Sequence, residues 1–109
     1  MFIAYQVALE LIRALRPIIA VVRKFDRALA NQMQEASNSI ALNLAEGSYR
    51  AGGDRRHSFE IAAGSTSEVG AGLDITAAWE WPVDTTEARA ILDRLRALVW
   101  GLTRGSARA

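Results

Sequence analysis

A chain of 109 residues, half of them apolar, is one domain with enough apolar surface to build a core, and its net charge of +1 by itself selects no charged partner. It contains no cysteine, which removes disulfides, thiolate metal sites and cysteine nucleophiles and fits a reducing cytoplasm, the expected location. Met1–Leu15 carries Glu10 within its apolar part and lacks a basic start or a small-residue cleavage site, so no signal peptide is expected, and no run reaches the roughly 20 apolar residues needed to span a bilayer.

The first predicted helix runs from about Phe2 to Arg23. Val7, Leu11, Ile12, Leu15, Ile18, Ile19 and Val22 form one broad apolar stripe at helical spacing. Pro17 lies inside the stripe. It lacks an N–H and its ring clashes with the preceding turn, so a kink near Ala14–Pro17 is expected, with a full break as the alternative. Asp26 is placed as N-cap of a second helix reaching Tyr49, with Leu29, Met33, Ala36, Ile40 and Leu44 on its inner face. Ala41, Ala45 and Gly47 are small enough for a neighbouring helix to come close. Ala51-Gly52-Gly53 reads as a turn, and Asp54 as the cap of a third helix extending to Trp79. That helix presents Phe59, Ala62, Ala63, Thr66, Val69, Leu73 and Ala77 on one face. Gly64, Gly70 and Gly72 each cost about 1 kcal/mol relative to Ala inside a helix, which suggests close helix contact. Pro82 ends the element. Asp84-Thr-Thr-Glu87 is a capping pattern, followed by Ala88, Ile91, Leu92, Leu95, Leu98, Val99 and Leu102 on a fourth helix ending near Leu102–Gly105. Residues 1–105 thus form one domain, and 106–109 a frayed tail. No repeat and no strand-type alternation is present. The fold class is all-α: an antiparallel up-down four-helix bundle.

Gln32, Ala36, Ser39-Ile40, Asn43, Ala45-Glu46-Gly47 and Arg50, then Ile61-Ala62, Gly64-Ser65 and Glu68, resemble the 23S rRNA-intervening sequence proteins. That family shows Q-x-x-x-A-x-x-S-I-x-x-N-I-A-E-G, a basic turn, and I-A-x-G-S-x-x-E. The likeness follows helix order through essentially the whole chain and is specific between Gln32 and Glu68. Relatives include the accessory variability determinant of diversity-generating retroelements, a basic bundle that works with nucleic acid and a reverse transcriptase. The resemblance implies a small cytoplasmic bundle that assembles as a barrel-shaped homopentamer. This chain departs from the pattern in three places. The link between the first two helices is about a turn shorter, Ala41 stands where a Pro is usual, and the second turn holds Arg50, Arg55 and Arg56 but no lysine run.

Asn43 and Glu46 share a helix face, as do Ser65 and Glu68. They are expected to form a structural polar network that fixes helix register, with Glu46 accepting from Ser65, backbone donors or Arg50; a coupled carboxylate pair is the alternative. Arg50, Arg55, Arg56 and the adjacent Tyr49 are the candidate nucleic-acid contacts, arginines for phosphate and the ring for a base, against a plain solvated loop. Arg13, Arg16, Arg23 and Lys24 could extend that basic surface. Residues 1–57 carry eight Lys/Arg against five Asp/Glu, and residues 58–109 five against seven, a mild asymmetry.

Nothing points to catalysis. His57 and Glu60 lie one turn apart, but a single histidine cannot supply a bundle metal site, so no metal or other cofactor is expected. Ser58, Ser65 and Ser67 lack a nucleophile elbow, and no Gly-Lys-Ser/Thr follows the glycines at 47, 52 and 53. Trp79, Trp81 and Trp100 either cap the core or anchor a subunit interface. The reading is a non-enzymatic assembly protein whose partners are copies of itself and RNA or DNA or a nucleic-acid enzyme, with no membrane and no small-molecule substrate. The alternative is a structural homo-oligomer that docks a protein partner.

Overall fold

The computed structural model describes residues 2–108, with side chains through residue 104. Four helices account for nearly all of them: α1 Ile3–Phe25, α2 Arg27–Tyr49, α3 Gly52–Ala78 and α4 Thr86–Arg108. Among the described residues there is no strand. α2 packs on α1 and α3, and α4 on α3 and α1, so the helices enclose a shared core in a body of 45 × 22 × 22 Å.

The core follows the predicted stripes. Leu11, Leu15, Ile18 and Val22 from α1 meet Met33, Ile40 and Leu44 from α2, Phe59, Val69 and Leu73 from α3, and Leu95 and Val99 from α4, all essentially excluded from solvent. Ile12 and Ile19, at the margin of the α1 stripe, are only half-buried. On α3 the inner face rotates away from Ala77, which is exposed, and takes in Thr76, whose hydroxyl donates to the Gly72 carbonyl at 2.8 Å. That bond satisfies a hydroxyl which would otherwise be buried at a cost of a few kcal/mol.

α1 runs unbroken through Pro17, so the expected alternative of a full break does not occur. A single residue, Asp26, separates α1 from α2. Its carboxylate accepts from the Leu29 amide at 2.9 Å, and its own amide donates to the Val22 carbonyl, so one residue closes one helix and caps the next. α3 starts earlier than the sequence reading placed it. Ala51 occupies the cap position without a side-chain bond, Gly52 is at φ 62°, a left-handed conformation natural to glycine, and Asp54 sits inside the first turn. There its charge still favours the helix N-terminus, but it is not the cap. Asp84 likewise precedes α4: its carboxylate accepts from the Thr86 amide at 2.9 Å, while the Thr85 carbonyl takes the first helical bond, from Arg89. The frayed tail expected over 106–109 falls on residues whose side chains, and for Ala109 the backbone too, lie outside the described residues.

Close approach explains two of the three glycines, Gly64, Gly70 and Gly72, expected to mark helix contact within α3. A methyl on Gly72 would meet Met33 of α2, and one on Gly70 would meet the Arg96 guanidinium of α4. Gly64 has open space around it, so the contact expected there does not arise within the chain.

Candidate nucleic-acid interface

The α2–α3 turn carries the arginines singled out from the sequence, and the fold gives them different tasks. Tyr49, at the last turn of α2, is 90 % exposed. Arg50 follows it and pairs with Glu46 one turn back, Nη2 to Oε1 at 3.5 Å. Both partners are about half-exposed, and such a pair contributes little to stability. Glu46, Tyr49 and Arg50 border a shallow concavity of about 300 Å³. Arg55 lies with its guanidinium 5.2 Å from the centroid of the Phe59 ring. Because Phe59 is fully buried, Arg55 acts as a cover for the core. Arg56 and His57 are exposed. Arg50, Arg56 and Tyr49 are therefore presented outward, and Arg55 is drawn inward.

The four residues expected to form one polar network separate into two groups. Asn43 donates to the Ser39 carbonyl at 2.9 Å and to its hydroxyl at 3.2 Å, and the Ser65 hydroxyl donates to the same Ser39 oxygen at 2.9 Å. Ser39 is thus the bridge between α2 and α3, with Asn43 half-buried and Ser65 buried. Glu46 and Glu68 lie outside this cluster on the exposed surface. Sequence spacing could place each pair on one face, but not which arc of that face the neighbouring helix covers.

Three rings form an unforeseen feature. Phe25 stacks on Trp81 with centroids 5.4 Å apart and planes 10° apart, and Trp81 stacks on Trp79 at 6.1 Å and 8°. Trp81 is half-buried against the core, whereas Phe25 and Trp79 are mostly exposed. The link holds this stack with Glu80 at φ 57°, an uncommon conformation for a non-glycine residue. The signal in the sequence was Trp-Glu-Trp-Pro; its partner Phe25 was not identifiable from spacing. Trp100 is 62 % exposed with Arg104 over its ring at 4.9 Å.

The Asp84 carboxyl is held more acidic than usual. Hydrogen bonds from Thr86, first its side chain and then its backbone, hold the carboxyl below its ordinary value of 3.8. Among the described residues no three His, Cys, Asp or Glu side chains converge to hold a metal, and no helix is long and apolar enough to cross a membrane.

No curated protein and no solved structure matches the chain. The family description that does match, 23S rRNA-intervening sequence protein, extends over residues 2–100 and so takes in α1, α2, α3 and the greater part of α4. With that span and four helices around one core, the chain belongs to the 23S rRNA-intervening sequence protein family.

Proposed function

We propose that the chain is a non-enzymatic, cytoplasmic assembly protein that self-associates and contacts RNA or DNA phosphates through its α2–α3 turn. In this reading each subunit is an up-down bundle with neighbouring helices antiparallel. The pairings of Gly47 with Phe59 and of Met33 with Gly72 support that direction for α2 and α3, since one partner number rises as the other falls. The expected homopentameric barrel comes from the sequence resemblance. Exposed Ile3, Leu42, Ile61, Ile75 and Trp100 supply apolar surface that self-association would cover.

The observation that carries the nucleic-acid reading is Tyr49, 90 % exposed beside the outward Arg50 and Arg56. An aromatic ring stacks on a base while arginines meet the phosphates. Binding of a generic RNA should weaken as salt rises, by about 0.7–0.9 log unit per log unit of salt for each phosphate contact. Arg50→Ala/Arg56→Ala should weaken binding and lower that slope by about 1.5, and neither residue supports the core. No binding by the wild type at low salt, or an unchanged slope in the variant, removes the turn from consideration. The Phe25–Trp81–Trp79 stack favours a second reading, a structural homo-oligomer that docks a protein partner and leaves nucleic acid alone.

A further inference from the structure

A groove of about 690 Å³ runs along the outer side of α1 and α2. On the α1 side Ile12, Pro17 and Ile19 give it an apolar strip beside Arg13, Arg16 and Arg23, its α2 side is polar, with Gln34, Ser37 and Asn38, and among the described residues no carboxylate lines it. Arg23 is occupied, donating to Asn31 at 2.7 Å and Gln34 at 2.9 Å. Among the described residues Arg13 and Arg16 have no acidic partner within the chain.

The complement of this groove lies on the same chain. The outer face of α3 exposes Glu60, Ile61, Gly64 and Glu68. Glu60 and Glu68 take part in no ion pair among the described residues. Eight residues separate them, about 12 Å along a helix, while Arg13 and Arg23 span about 15 Å, so the two carboxylates fit within the reach of the arginine rim. Ile61, between the two glutamates, matches the apolar strip from Ile12 to Ile19, which is about 10 Å long. Gly64 lies between the two glutamates with nothing within 4 Å of where its Cβ would be, which leaves a flat place for another backbone to approach.

We infer that the α1–α2 groove receives the α3 outer face of a second copy of this chain. The inference rests on the self-association proposed above and names its surfaces. Charge selects the occupant: the groove presents cations beside an apolar strip, and α3 presents carboxylates beside Ile61. A nucleic-acid backbone would satisfy the arginines but leave Ile12 and Ile19 facing phosphate. Because the two surfaces differ, the contact is head-to-tail, and repetition of one such contact closes into a ring when the rotation permits.

The test compares masses by light scattering at micromolar concentration, with and without nuclease, for the wild type, Arg13→Glu/Arg16→Glu, Glu60→Arg/Glu68→Arg, the four changes combined, and Gly64→Leu. All the altered positions are exposed, and helicity by circular dichroism confirms that each variant folds. The wild type is expected as a multiple of 11.9 kDa, insensitive to nuclease. Each charge reversal and Gly64→Leu should fall to the single-chain mass, and the combined variant should recover the assembly. Reversals or Gly64→Leu that keep the wild-type mass overturn this interface while leaving self-association standing. A combined variant that stays dissociated, or an assembly that nuclease dissolves, also overturns it. A wild type at 11.9 kDa overturns self-association itself.

Discussion

Replacing Gly47 by Ala sets two opposed terms against each other. The substitution gains up to about 1 kcal/mol of helix propensity, because Gly inside a helix has more backbone entropy to lose. The added methyl, however, would collide with the edge of the Phe59 ring, with three ring atoms within 3.0 Å of the new carbon. Phe59 cannot withdraw freely. It is fully buried, with the Phe2 ring at 6.0 Å and the Arg55 guanidinium at 5.2 Å. Overpacking of this kind costs about 1–3 kcal/mol, and a ring held by neighbours belongs in the upper part of that range. The net expectation is a loss of about 1–2 kcal/mol, or a fall of roughly 5–10 °C in melting temperature. Gly101→Ala is the matched control. It lies in α4 with nothing within 4 Å of its Cβ position, so it should gain up to about 1 kcal/mol. Urea unfolding at one fixed protein concentration reads both variants. A second arm adds Phe59→Leu, which should recover part of the Gly47→Ala loss in a double-mutant cycle, since the two sites share one contact. If Gly47→Ala is as stable as Gly101→Ala, the close approach of α2 to Phe59 is misjudged.

Other consequences follow from the caps, the polar cluster and the Asp84 carboxyl. Asp26→Ala removes the side-chain acceptor for the Leu29 amide and should cost about 1 kcal/mol by chemical denaturation; no loss would mean the one-residue link holds without its cap. Ser65→Ala breaks the bridge to Ser39 and should cost about 1 kcal/mol, whereas Glu46→Ala, which removes only an exposed pair with Arg50, should cost under about 0.5 kcal/mol; the reverse order in urea midpoints would contradict the placement of these residues. Asp84 is more acidic folded than unfolded, so its contribution is present above its ordinary value of 3.8 and is lost as pH falls through the depressed folded value. Asp84→Asn should therefore narrow the difference in melting temperature between pH 7 and acid, and an unchanged difference would count against the Thr86 bonds.

The fold was legible because its driving term is periodic. Val7, Leu11, Leu15, Ile18 and Val22 recur at helical spacing, and every one of them is buried. The same periodicity decides the fate of Pro17. A proline inside a helix costs about 3 kcal/mol, but breaking α1 there would forfeit part of the burial of Leu15, Ile18 and Val22, each worth about 1.5–3 kcal/mol. Packing outweighs the local penalty, and α1 continues. The polar residues obey no such sum. Asn43 and Ser65 meet through Ser39 because a hydroxyl can accept from both sides, a bridge that spacing within either helix does not encode. Arg55 turned toward Phe59 for a similar reason: an arginine beside a buried ring can cover it with its stem and guanidinium, and only the three-dimensional position of the ring reveals the choice. Gln32, Glu46, Arg50 and Glu68 carry part of the family resemblance, yet all four are exposed. An exposed carboxylate or amide adds little to the stability of its own chain. Glu46 and Arg50 pair with each other at the end of α2, so the part of the pattern that these four residues carry is not accounted for by the core, and no periodicity in the sequence could have separated them from the buried Ser65.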